Sequence, residues 1–183
     1  QRQMCIRDSL HVLKNASGNI KRKVNELFGN TLREAEKREL CTLIYYPEQK
    51  LELVKQNESD INDWYHITLH QLVAVCRDVS SKYTRSKVRK SLPCDFCYII
   101  QELLHEHTED HDKTAYVNVI VDTIISTGRA DDFIIAIANV IQRLAIDQLH
   151  ILGDIYDRGP GAHIILDKMR HYHSWDIQWG NHD

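Results

Sequence analysis

Two short stretches late in the chain carry the residue types that phosphate chemistry needs. The first is Gly153-Asp154-Ile155-Tyr156-Asp157-Arg158-Gly159, and the second is Gly180-Asn181-His182-Asp183. Together they offer carboxylates, a carboxamide, an imidazole and a guanidinium. Such oxygen donors suit two hard divalent cations: Asp154 can bridge the ions, and the Asn181 amide oxygen can ligate one without adding charge. A pair of ions lowers the pKa of a bridging water and clamps the attacking and phosphoryl oxygens of an in-line displacement. His182 is placed to protonate a leaving alkoxide. Asp157 would hold the imidazole tautomer and favour its charged form. The planar donor fork of Arg158 matches phosphate oxygens.

These loops need elements that bring them together, and the flanking pattern supplies them. Leu149 to Gly153 is a short apolar run bounded by turn residues, which reads as a buried strand, and Ile177 to Trp179 reads as a second. Between them Pro160 can open a helix, with Ile164, Ile165, Met169 and Tyr172 on its inner face. Strand, helix and strand at this spacing predict a parallel βαβ unit. Both motifs then fall at carboxyl ends of strands, where α/β sheets place their ligands. Gly153 and Gly180 let the backbone turn sharply and keep bulk away from a ligand.

Upstream, from residue 18 to about residue 146, the pattern is helical. Ile20, Val24, Leu27 and Phe28 recur at helical spacing until Gly29. Thr31 with Glu34 reads as a capping box that opens a helix through Leu40, Leu43 and Ile44, ending at Pro47. Ser59 reads as the cap of a longer helix with Trp64, Leu69, Leu72, Val73, Cys76 and Val79 on its apolar stripe. Pro93 and Asp95 separate the next pair. Tyr116, Val119, Ile120 and Ile124 form a stripe that Gly128 terminates, and Phe133, Ile134, Ile137, Val140, Ile141 and Leu144 form another.

The paired motifs are similar to those of the calcineurin-like metallophosphoesterases. The chain resembles class III fructose-1,6-bisphosphatase nearly end to end, through Leu10-His11-Val12-Leu13-Lys14-Asn15, Glu34 to Leu40, Leu43 to Pro47, Ser81 to Lys90, Gly128-Arg129-Ala130-Asp131, Gly153 to Ala162 and Ile177 to Asp183. The resemblance implies an α/β fold in which a helical insertion leads into the first βαβ unit of a metallophosphoesterase sandwich. Residues 1–9 lack periodicity and read as a non-native leader, while the resemblance makes 10–146 a helical insertion region and 147–183 a partial core. It makes Asp154 and Asn181 metal ligands, His182 the general acid, Asp157 its partner and Arg158 a phosphate contact. The implied reaction is hydrolysis of the 1-phosphate of fructose 1,6-bisphosphate in gluconeogenesis, with manganese as the ion. Members of the superfamily begin with an Asp-x-His motif, and none occurs in this sequence. The resemblance accounts for this by starting the chain inside the insertion, with the later histidine motifs beyond Asp183. Two ligands cannot hold a binuclear site, so the polypeptide alone is expected to be inactive.

Composition narrows the remaining possibilities. A net charge of -3 and a pI near 6.4 give no electrostatic reason to expect a nucleic-acid or membrane partner. Neither a membrane-length apolar run nor a secretory pattern is present in the sequence. Five cysteines, an odd number, do not form a disulfide framework, and the lone Cys94-x-x-Cys97 reads as two thiols on successive helical turns in a reducing cytoplasm. The basic run Lys82, Arg85, Lys87, Arg89 and Lys90 reads as a solvated or subunit-contacting helix face, consistent with a homo-oligomer, rather than an effector site. His105, His107 and His111 lie among Glu106, Glu109, Asp110 and Asp112, and read as an exposed polar loop. Trp64 and Trp179 fit core positions, and Asp167 with His171 reads as a surface pair. Two other functions remain open: a phosphoprotein serine/threonine phosphatase, and a non-catalytic helical interaction module. The former usually closes the second motif with Glu where Asp183 stands.

Overall fold

Apolar residues at helical spacing from Ile20 to Leu144 fold the greater part of the chain into a set of packed helices, and among the described residues only the last stretch forms a sheet. The computed structural model describes residues 11–16, 18–105, 111–156 and 161–181, with the backbone alone at residues 105 and 111–114. The helices are α1 (Asn19–Phe28), α2 (Glu34–Tyr45), α3 (Pro47–Asn57), α4 (Ile61–Ser80), α5 (Arg85–Ser91), α6 (Cys97–His105), α7 (His111–Ser126) and α8 (Ala130–Ala145). A 3₁₀ turn over Cys94–Phe96 runs directly into α6. Strand β1 (Leu149–Ile151), helix α9 (Ala162–Met169) and strand β2 (Trp175–Ile177) follow.

Helix α8 is the centre of the core. Its stripe of Phe133, Ile134, Ile137, Val140, Ile141 and Leu144 is buried along its whole length. It packs most extensively on α4, which contributes Leu69, Leu72, Val73, Cys76 and Val79. The Phe133 ring meets that of Phe96 edge to face, 5.3 Å between centroids, a geometry the ring quadrupoles favour. Side chains then satisfy the orphan carbonyls at helix ends. At the end of α8, Tyr83 Oη donates to Leu144 O at 2.9 Å and Asn19 Nδ2 to Ala145 O at 2.9 Å. Gln142 Nε2 donates to Ile44 O at the end of α2, 2.6 Å away, and Arg77 Nε donates to Leu103 O in α6 at 2.7 Å.

Several local expectations shift. Helix α2 begins at Glu34, so Arg33 is its N-cap and the carboxylate of Glu36, not Glu34, accepts from the Arg33 N–H at 2.7 Å. Pro47 takes the first position of α3, where its missing N–H costs nothing. Asp60, one residue after Ser59, caps α4 by accepting from Asp63 N at 3.0 Å. In α7 the buried face is Val117, Val121 and Ile124, while Tyr116 and Val119 are 44% and 59% exposed. That helix has apolar residues around most of its circumference, so spacing alone does not select the face.

The strands pair in parallel, Leu149 with Trp175, His150 with Asp176 and Ile151 with Ile177, as the βαβ pattern requires. The second strand lies two residues earlier than its apolar run suggests. Gln178, expected within the strand, still donates its N–H to Ile151 O at 2.8 Å. Trp179, expected in the core, is 87% exposed, and Leu152 is 79% exposed. The strand β1 is half-buried rather than buried, because a sheet of two strands leaves much of its surface open. On α9, Met169 and Ala162 are buried, Ile165 and the following Tyr172 are half-buried, and Ile164 faces outward.

Candidate metal and phosphate site

The parallel register makes β1 and β2 end side by side, and their following loops touch through glycine. Gly153 has φ 92 and Asp154 has φ 56, two successive left-handed residues. That region is open to glycine and tolerated by Asp. A methyl group on Gly153 would sit 2.5 Å from the Gly180 Cα and 2.9 Å from Gln178 O. One on Gly180 would meet the Asp154 carboxylate, 2.8 Å from its Cγ, and the Asp154 backbone N more closely still. No side chain fits at either position. The two glycines therefore let the loops cross in backbone contact and seat the Asp154 carboxylate against the residue that precedes Asn181. Both Asp154 and Asn181 are exposed, so their oxygens lie on a surface that solvent reaches. The other expected site residues, Asp157, Arg158 and His182, lie outside the described residues.

Below the loops, the sheet presents a polar pair that sequence reading did not single out. His150 Nδ1 and Asp176 Oδ1 are 2.7 Å apart, and Gln148 Nε2 donates to Asp176 Oδ2 at 2.7 Å. The signal was in the alternation: Leu149-His150-Ile151 and Trp175-Asp176-Ile177 place both polar residues on the same face once the strands are in register. Nearby, His173 Nε2 lies 2.8 Å from Ile146 O, tying the chain before β2 to the chain before β1. Among the described residues, no three His, Cys, Asp or Glu side chains gather into a group able to hold a metal ion.

Part of the basic run is engaged elsewhere. Lys87 pairs with Asp147, just before β1, and lies 4.7 Å from the centre of the Tyr83 ring. Its hydrogen bond holds the Asp147 carboxyl below the usual aspartate range. Lys82 Nζ reaches Ala145 O at 3.4 Å. Lys87 of α5 and Lys82 of the turn before it fasten this part of the chain to the junction between α8 and β1. Residues 106–110 of the histidine-rich stretch lie outside the described residues, and His111 opens α7 rather than standing in a loop. Asp167 in α9 and His171 beyond it are both exposed. A groove of about 640 Å³ between α2, α3 and α4, floored by Leu40, Leu43 and Trp64, draws no lining residue from the strand-end loops. No described helix is long and apolar enough to cross a membrane.

Residues 7–183 match the family model described as Firmicute fructose-1,6-bisphosphatase. The chain is 75% identical over 173 residues to the fructose-1,6-bisphosphatase class 3 of Bacteroides thetaiotaomicron, an overlap of 94% of this chain and 26% of that protein. Proteins of the same description from Parabacteroides distasonis and Clostridium novyi are 71% and 66% identical, with the same coverage on both sides. The chain thus spans about a quarter of the length of the curated relatives it matches. No solved structure matches it.

Proposed function

Because this chain belongs to the Firmicute fructose-1,6-bisphosphatase family, we propose that it contributes part of the site that hydrolyses the 1-phosphate of fructose 1,6-bisphosphate, releasing fructose 6-phosphate and phosphate. The reaction would serve gluconeogenesis in the cytoplasm, and the complete fold would be a metallophosphoesterase sandwich that β1, α9 and β2 begin. The observation carrying this reading is the crossing of the two strand-end loops at Gly153 and Gly180.

The donor chemistry there fits a hard divalent ion, since Asp154 offers carboxylate oxygen and Asn181 amide oxygen on an exposed surface. Manganese is the ion that the family resemblance implies. Ions bound at this place would supply Lewis acidity to the phosphoryl oxygens and an acidified water. The chain's own residues do the rest. Asp154 and Asn181 fix where the phosphate centre sits relative to the sheet. Arg158 holds phosphate oxygens through its planar donor fork. His182 gives a proton to the departing sugar oxygen, and Asp157 keeps its ring in the tautomer that allows this.

Two donors do not complete a binuclear site, so the purified chain with manganese should release no phosphate from fructose 1,6-bisphosphate above the buffer rate. A polypeptide of the relatives' full length that carries this segment should release it. In that polypeptide, Asp154→Ala should lower kcat by about 100-fold or more, the scale of losing one well-placed electrostatic contact. A full-length protein that hydrolyses a phosphoserine peptide and leaves the sugar bisphosphate untouched would overturn the assignment. Turnover by the isolated chain would overturn the expectation that it is inactive alone.

A further inference from the structure

The pair Cys94 and Cys97 stands apart from the other described thiols. Cys41 and Cys76 are buried in the helical core, and burial pushes both thiols up, Cys76 to about 12. Such thiols stay protonated and out of reach of reagents. Cys94 is exposed and Cys97 half-buried, and neither is in a disulfide. Cys94 opens the 3₁₀ turn Cys94–Phe96, and Cys97 is the first residue of α6. The two thiols thus stand three residues apart across the entry to a helix. A 3₁₀ turn has three residues per turn and rises about 2 Å per residue, so positions i and i+3 eclipse one another about 6 Å apart. That separation falls within the range of roughly 4.4–6.8 Å between Cα atoms that a disulfide requires.

The surroundings hold the turn in shape. Phe96, between the two cysteines, is buried, with its ring edge to face with Phe133 and the Arg129 guanidinium 4.5 Å from its centre. Pro93 precedes the turn and accepts from Phe96 N at 3.3 Å. The anchor fixes the backbone while the first thiol faces solvent. We propose that Cys94 and Cys97 form a dithiol–disulfide exchange site, reacting with disulfides of small thiols or of exposed protein cysteines.

The step balances as follows. The Cys94 thiolate attacks one sulfur of an incoming disulfide, forming a mixed disulfide and expelling one thiolate. The Cys97 thiolate then attacks Cys94 Sγ, closing the intrachain S–S bond and expelling the second thiolate. The protein dithiol is oxidised by two electrons and loses two protons, and the incoming disulfide is reduced to two thiols.

The test uses the whole chain, equilibrated in graded mixtures of reduced and oxidised dithiothreitol, acid-quenched, alkylated and mapped by peptide mass. The expected result is a single two-electron transition in which Cys94 and Cys97 lose their alkylation together, joined in one peptide lighter by two hydrogens. Cys41 and Cys76 should be unchanged. A second arm uses glutathione disulfide on Cys97→Ser, which should trap a stable glutathione adduct on Cys94, whereas the unmutated chain should pass through it to the closed form. Independent alkylation of the two thiols across the whole range would overturn the proposal, as would oxidation only through Cys5 or between chains. The mapping on the unmutated chain decides this even if the variant does not fold.

Discussion

Gly153 and Gly180 set how closely the two strand-end loops approach, and each excludes a side chain for a different reason. Gly153 is left-handed and would collide with the Gly180 backbone, whereas Gly180 lacks room because the Asp154 carboxylate and backbone occupy it. Either Gly→Ala change should destabilise this crossing by about 1–3 kcal/mol. The readout is faster hydrogen exchange at Gln178 N, whose bond to Ile151 O joins the strand ends, with helical amides in α8 unaffected. Unchanged protection at Gln178 would mean that the loops do not touch. A second residue-scale test concerns pH. Lys87 holds the Asp147 carboxyl below its ordinary value, so folding favours the ionised form. The stabilisation is present above the unfolded pKa and fades as the pH falls through the lower folded one. Urea midpoints measured between about pH 5 and pH 2 should lose part of their acid-side slope in Lys87→Met, and the difference should shrink in salt. Identical slopes would remove the pair from the stability account.

At the scale of elements, α8 organises the helical layer, and its sequence stripe was legible because six large apolar residues fall on a single face with Asp131, Asp132 and Arg143 opposite or at the ends. Phe133→Ala should cost about 3–5 kcal/mol by leaving a cavity beside Phe96. A urea midpoint that moved by much less would show that the core repacks around the gap. The errors elsewhere have physical causes. Thr31 and Ser59 are good capping residues, yet Glu36 and Asp60 reach the free N–H groups instead, because a cap is chosen by where the backbone turns. In α7 the spacing selects Ile120 and Ile124 on the packed side but misplaces Tyr116 and Val119, since valine and isoleucine lie all around the helix. Trp179 looked like core by its type alone, but it follows the end of β2 and points to solvent. The parallel pairing itself was legible, because strand, helix and strand at that spacing have few other solutions.

Across the whole molecule, most of the described chain builds a helical body, while the residues suited to chemistry are gathered near its last turns. The motif spacing revealed which loops should meet, and the Gly153–Gly180 crossing gives that meeting a structural form. The alternation put His150 and Asp176 each on one face of its strand, but only the register of the paired strands sets them opposite one another. The chain spans about a quarter of the length of its curated relatives, so its residues are read as one share of a larger site. The claim that this share binds a divalent cation is tested most directly by adding Mn²⁺ to the isotope-labelled chain and following paramagnetic broadening of its amide signals. The account predicts broadening centred on residues 153–157 and 180–183 that disappears in Asp154→Ala. Broadening that spared those loops, or that persisted in the variant, would contradict it.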